Sequence, residues 1–465
     1  MTESGTAVHD GPRRAGARLT LASSDRDRAV MSTEDFFRWW EHRLARGRFE
    51  VTPIPFAELE RWGFQEQTGN LGHESGRFFT IEGLRVEDGP TRWQPIINQP
   101  EIGVLGILVK EFDGVLHCLM QAKMEPGNVN TLQLSPTVQA TRSNYTQVHR
   151  GSATRYLEYF AGPRRGDVLV DVLQSEQGAW FWHKRNRNIV VRVDDDVPLH
   201  EDFCWLTIAQ VRELMRVDNL VNMDSRTVLS CMPFVEPAAP SDPGEFGEAL
   251  ARSYAPDGSV AGTDEILSWF TEAKTRCEWT ARLVPLSSVR DWTRTAEEIT
   301  DDRGEDFRII AVRVAAANRE VAGWTQPLLH PRGRGLAVFV ARRIAGVLHI
   351  LVRAREEYGL LDCVEMAPSV QLLPGQDVSA VDPFLRDVAT GHVGRARFDT
   401  VLSEEGGRFH HALTRYRVVE VGSEFPVEVP PDYCWMTTRQ LMDLLRHGHY
   451  LNIEARSLLA CVHSL

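Results

Sequence analysis

A chain of 465 residues exceeds what one hydrophobic core usually covers, so two or three domains are expected. Hydrophobic residues at 43% and charged residues at 25% are ordinary for a soluble globular protein, and a formal net charge of -12 argues against nucleic-acid or anionic-membrane partners, which repel an acidic surface. No stretch approaches the roughly 20 apolar residues of a membrane-spanning helix, and seven cysteines without a CxxC pair fit reduced thiols in a cytoplasm.

Residues 1–30 carry no apolar run of signal-peptide length and are expected to form a disordered tail. The sequence FFRWWEHRLA then places Phe36, Phe37, Trp40 and Leu44 on one helical face, with Ser32, Thr33 or Asp35 as cap. GVLGILVKEF, an Asp113-Gly114 turn and VLHCLMQAK predict a β-hairpin, because Asp-Gly readily takes the positive φ of a two-residue turn. A second hairpin is expected from 168–174 and 189–193. Thr207 caps a helix with Ile208, Val211, Leu214 and Met215 on one face. Residues 233–262, rich in proline, glycine and acids, read as a linker with a short helix near 245–253.

The pattern then starts again. Ile266, Leu267, Phe270 and Ala273 form a second opening stripe, Ala345-Gly346 turns a second hairpin, and Thr437 or Thr438 caps a closing helix. Trp62 corresponds to Trp292 at an offset of 230, and GVLH at 114–117 recurs at 346–349, an offset of 232. The same offset pairs Lys123 with Arg355, Glu125 with Glu357, Gly127 with Gly359 and Gln139 with Gln371. Ser175-Glu176 matches Ser403-Glu404, Asn222 matches Asn452, and Arg226 matches Arg456. These coincidences define a tandem duplication of two α+β domains, 31–232 and 263–465.

Candidate chemistry concentrates in 121–151, which crowds long amides, cations and aromatics into a stretch with little reason to be a packed element. Lys123, Glu125, Tyr145, His149 and Glu176 are the proton-transfer candidates, a carboxylate or a phenol among them requiring a pKa shifted toward neutrality. Arg142 and Lys123 suit phosphate, Arg because its planar fork grips two oxygens. Trp62 is either a core tryptophan or a flat surface for a nucleobase. The second half keeps Arg355, Glu357 and Gln371 but lacks the block TRSNY and His149, so the first pocket is expected to be catalytic and the second vestigial or binding-only. Asp194 to Asp196 reads as a solvated turn, and the His410-His411 and His447/His449 pairs lack zinc-hydrolase geometry.

The run QAKMEPGNVNTLQLSPTVQATRSNYTQVH, with WQPIINQPEIGVLGILV before it and FCWLT and NMDSRTVLSC after it, resembles the NDP-hexose 2,3-dehydratases of deoxysugar biosynthesis. The resemblance implies two Nudix-like α/β/α domains with mixed sheets, a homodimer in the cytoplasm, and a dTDP-linked 4-keto-6-deoxyhexose as substrate. It implies 2,3-dehydration for natural-product glycosylation, with the diketo product passed to a 3-ketoreductase and no nicotinamide or metal formally needed. On that reading Glu125 or Tyr145 moves a proton, Lys123 polarises the ketone or its enolate, and His149 is an acid. Trp62 stacks on thymine; Gln139, Thr141, Arg142, Ser143, Asn144, Ser175 and Glu176 contact substrate; Trp292, Arg355 and Gln371 line a second pocket. EEYGL at 356–360 matches only the tail of the acidic metal-binding helix of Nudix hydrolases, so a metal-dependent nucleotide-sugar hydrolase and a non-catalytic nucleotide-sugar binder are the alternatives.

Overall fold

Ser32 caps the opening helix, Thr33–Arg46, by accepting the Asp35 N–H at 3.0 Å. The computed structural model describes residues 19–20, 28–142, 154–163, 165–235, 245–316 and 323–465. The helix buries Phe36, Trp40 and Arg43. Phe37 and Leu44, expected on the same face, stay exposed. They sit one step round from the i, i+4, i+7 stripe, whose last position is taken by the Arg43 guanidinium between Glu201 and Asp202. The tail expected to be disordered is tied where it is described: Leu19–Thr20 runs parallel to Phe234–Val235, and Val30 N–H donates to buried His117 Nε2 at 3.2 Å.

Each repeat builds a seven-stranded mixed sheet on its hairpin. In the first, Gly103–Phe112 pairs with Val115–Met124 across Asp113 and Gly114, whose φ values are 47° and 77°. Arg185–Arg192 lies parallel to Gly103–Phe112, Asp167–Ser175 pairs antiparallel beyond it, and Phe203–Thr207 flanks the other side. The second sheet repeats this with Gly335–Ile344, Val347–Glu356, Leu413–Val421, Arg395–Ser403 and Tyr433–Thr437. Thr207 and Thr437 both form capping boxes, with Gln210 and Gln440 respectively. Within the expected linker, Glu245–Ser253 is a helix burying Phe246, Ala249 and Leu250, so this part of the linker belongs to the core.

The repeats exchange strands. Phe49–Ile54 of the first repeat pairs with Arg308–Ala316 of the second, and Thr280–Val284 of the second pairs with Thr80–Glu87 of the first. Each smaller sheet is therefore completed by the other half. Two helices left unassigned from sequence, Met223–Ser230 and Ile453–Val462, pack on each other between the halves, capped by Asn222 and Asn452. Both are buried on every side, so they carry no amphipathic period to read.

Their arginines tie the halves together. Arg226, fully buried, donates to Val221 O at 2.8 Å and to Ser403 O of the other repeat at 2.9 Å. Arg456 mirrors it, donating to Leu451 O at 2.6 Å and to Ser175 O. Beyond Ser175 and Ser403, loops 176–184 and 404–412 cross into the opposite repeat. Gly127 N–H donates to Gly406 O at 2.7 Å while His411 N–H donates to Gly127 O at 2.8 Å; Gly359 makes the same pair with Gly178 and His183 at 2.8 and 2.7 Å.

Candidate active site

The crossing loops close a cleft of about 490 Å³, counting the part open to solvent, over the first repeat's hairpin. Its floor is a pinned network. Lys123 Nζ lies 3.2 Å from Glu125 Oε1 and donates to Gln139 O at 3.2 Å. Gln139 Nε2 donates to the same Glu125 oxygen at 2.9 Å, and its own Oε1 accepts from Asn222 Nδ2 at 3.0 Å. Lys123 comes from Val115–Met124, Glu125 from just past its end, Gln139 from Val138–Ala140, which pairs with Gly103–Phe112, and Asn222 from the cap of Met223–Ser230. Of the residues singled out from sequence, Lys123, Glu125, Gln139, Thr141 and Glu176 line this one cleft.

Other expected residues fall elsewhere. The side chain of Ser175 is turned into the repeat interface, where its hydroxyl donates to Glu365 Oε2 at 2.6 Å, so it does not face the cleft. Trp62 is half-buried among His73, Phe78 and Phe79, and Trp292 donates its N–H to Trp93 O at 3.0 Å while packing on Phe307. Neither is among the residues lining the two described clefts, and both pack, partly buried, against one apolar cluster. Arg142 is exposed next to the lining residue Thr141. Ser143, Asn144, Tyr145 and His149 lie outside the described residues. Arg355 and Gln371 hold Glu357 in the second repeat as Lys123 and Gln139 hold Glu125. Residues 356–360 follow a strand into a turn and form no acidic helix.

Sequence reasoning missed Lys184, Asn186, Asp224, Glu405 and Arg408, all lining the cleft. Asn186 Nδ2 donates to Glu176 Oε1 at 2.6 Å. Lys184 is 5% exposed, its ammonium bonded to Glu101 O. Burial, reinforced by the Arg408 charge and opposed by Glu176, lowers Lys184 to about 8. Burial raises Glu176 against the opposing charge of Arg456. Burial and the neighbouring carboxyls Glu176, Glu405 and Glu125 push Asp224 well above the usual carboxylate range. Burial likewise carries Glu405 up to about 7, Arg408 opposing and Glu125 adding to it. The Arg408 guanidinium lies over the Phe79 ring, 5.2 Å from its centre. The signal that could have found them is the repeat itself: an offset of 228 sets Lys184 against Ala412, Glu405 against Gln177 and Arg408 against Trp180.

Carboxyls and a lysine brought toward neutral pKa beside fixed cations describe an enzyme working by proton transfer. The family description for NDP-hexose 2,3-dehydratase matches the chain twice, over residues 33–232 and 263–462. Three curated relatives are similar over nearly the whole chain, each named dTDP-4-dehydro-6-deoxy-alpha-D-glucopyranose 2,3-dehydratase. The protein of Saccharopolyspora spinosa is 54% identical, covering 94% of this chain and 92% of that one. Those of Streptomyces violaceoruber and Amycolatopsis orientalis are 51% and 48% identical, covering 94% and 96% of this chain and 98% and 93% of theirs. The chain belongs to the NDP-hexose 2,3-dehydratase family. Parts of it are also similar to two solved structures, a C. elegans Ap4A hydrolase (12% identity, 24% of this chain and 86% of that one, TM-score 0.18) and an ADP compounds hydrolase (16%, 34% and 84%, TM-score 0.23). Among the described residues no helix is long and apolar enough to cross a membrane.

Proposed function

We propose that the protein removes water across C2 and C3 of dTDP-4-keto-6-deoxyglucose, giving dTDP-3,4-diketo-2,6-dideoxyglucose. The observation that carries this reading is the pairing, in one cleft, of two lysine ammoniums with carboxyls raised by burial. The C4 ketone acidifies the C3 hydrogen, so a carboxylate can take it while a cation steadies the enolate. Lys123, pinned by Glu125 and Gln139, is the cation for the ketone oxygen. Lys184, lowered to about 8 by burial, is matched to protonating the departing C2 hydroxyl near neutrality. Gln139, Thr141 and Glu176 contact the sugar, and Arg142 and Arg408 at the cleft suit the diphosphate. The names of the relatives support the dTDP-linked substrate.

The reading extends to a cytoplasmic homodimer acting in natural-product glycosylation, whose diketo product passes to a 3-ketoreductase. The seven free thiols fit such a compartment. The decisive experiment incubates purified protein with dTDP-4-keto-6-deoxyglucose and a 3-ketoreductase and seeks a 2-deoxy sugar nucleotide by mass. Release of a sugar phosphate that stops in chelator points instead to a hydrolase. Tight binding with the substrate returned intact points to a binder.

A further inference from the structure

The two repeats share one polar network. Lys123, Glu125, Gln139 and Asn222 in the first correspond to Arg355, Glu357, Gln371 and Asn452 in the second, with contacts of 3.2, 2.9 and 3.0 Å against 3.3, 3.0 and 2.8 Å. A network present twice does not set the clefts apart. The differences lie on the crossing loops. Their equivalence is structural: Glu176 N–H donates to Lys184 O at 3.0 Å, and Glu404 N–H to Ala412 O at 2.9 Å. Each loop contributes residues to both clefts. Glu405 and Arg408 of the second repeat therefore line the first cleft. In return, Trp180 of the first repeat lines the second cleft, where Gln177 donates to Glu404 at 3.0 Å.

We propose that Glu405, delivered by the second repeat, is the base that takes the C3 proton in the first cleft; this rests on the dehydration reading above. Its Oε1 is positioned by the Gly407 N–H at 3.0 Å and lies 3.9 Å from Arg408 Nη1. Its Oε2 is buried with no hydrogen-bond partner among the described residues, and the side chain is 14% exposed. Glu125 is the poorer base, because one of its oxygens already takes both Lys123 and Gln139, as Glu357 takes both Arg355 and Gln371. Loop 404–412 cannot drift from this position, being held by both hydrogen bonds of Gly127.

The step balances. The C3–H bond breaks, its proton goes to Glu405 Oε2, and its electron pair forms C3=C4 with charge on the C4 oxygen. That charge returns to re-form C4=O, the C3=C4 pair shifts to C2=C3, and the C2–O bond breaks as Lys184 protonates the leaving hydroxide to water. Neutral Lys184 then takes the C3 hydroxyl proton while protonated Glu405 gives its own to C2. Both groups return to their starting forms.

The test is Glu405→Gln, with Glu405→Asp beside it. Steady-state rates, binding of dTDP by calorimetry and the pH profile are measured on the full chain. The expected result is a fall in kcat of about 10²- to 10⁴-fold in the Gln variant, dTDP binding within threefold of the starting protein, and partial rescue by Asp. The starting protein should also show kcat rising with pH through about 7, where Glu405 loses its proton among Arg408, Glu125, Glu176 and Lys123. Glu405→Asp, which keeps the carboxylate, decides the matter should Glu405→Gln fail to fold: its limb should stay while its kcat falls. A Gln variant turning over within threefold, or a limb absent from the starting protein, overturns the assignment while leaving dehydration intact. Failure of the starting protein to dehydrate the sugar sinks the dehydration reading and this inference with it.

Discussion

Gly127→Ala should both loosen the protein and slow it. Gly127 lies where the backbones of the two repeats cross, donating to Gly406 O at 2.7 Å and accepting from His411 N–H at 2.8 Å. A Cβ there would overlap Phe409 O and stand 2.7 Å from Gly406 O, both backbone atoms that no rotamer change can move aside. Overpacking of this kind costs about 1–3 kcal/mol, and two lost hydrogen bonds add about 0.5–1.5 kcal/mol each. The expected loss is about 2–6 kcal/mol, a large part of the roughly 5–15 kcal/mol that holds a typical fold. Loop 404–412 would retreat, carrying Glu405 and Arg408 with it, and a shift of about 1 Å at reacting groups can cost about 100-fold in rate. Urea denaturation followed by circular dichroism, together with kcat, measures both. Gly63→Ala is the control, since nothing lies within 4 Å of its added carbon. If Gly127→Ala matches that control in midpoint and kcat, the crossing does not position the cleft.

Arg456→Met should cost about 3–5 kcal/mol by urea denaturation, the penalty for stripping a buried charge network of its donor, because Ser175 O and Leu451 O lose their guanidinium. Arg355→Met and Gln371→Ala should leave kcat within about threefold, whereas Lys123→Met and Gln139→Ala should lose at least the roughly 100-fold typical of a positioned polar group. Activity should fall above a pH of about 8 as Lys184 loses its proton, and Lys184→Arg should move that alkaline limb upward. Acid should destabilise the fold through His463, which burial holds down to about 3 against an ordinary 6.5. The unfolded chain takes that proton first, so stability is full above 6.5 and is lost as pH falls below it; His463→Gln should flatten the fall in urea midpoint between pH 7 and pH 5.

The duplication was legible because it writes the same physics twice. GVLH recurs since His117 and His349 occupy the same buried position, each accepting a backbone N–H, from Val30 and Val260, at 3.2 Å. Asp113-Gly114 and Ala345-Gly346 announced their hairpins through local turn geometry. Lys123, Glu125 and Gln139 were legible as a site because they fall close together in the chain. What stayed hidden is non-local. Nothing within Phe49–Ile54 says that its partner strand lies in the other repeat. Met223–Ser230 gave no stripe because it has no solvent face. Glu405 and Lys184 come together only after the loops cross, and a search that compares each half with its own counterpart passes over them.

The exchange also changes what asymmetry between the repeats means. In a simple tandem array, losses in the second copy disable only the second copy. Here Ala412 stands at the position that matches Lys184, while Glu405 and Arg408, a few residues earlier on the same loop, line the first cleft. The second repeat therefore contributes side chains to its neighbour's cleft as well as to its own. Separating the halves would strip Phe49–Ile54 and Thr280–Val284 of their partner strands and leave Arg226 and Arg456 without Ser403 O and Ser175 O. Unpaired strand edges and uncompensated buried cations are among the costliest defects a fold can carry. The same contacts that make the halves inseparable deliver Glu405, so in this chain the interface between repeats is also a wall of the cleft.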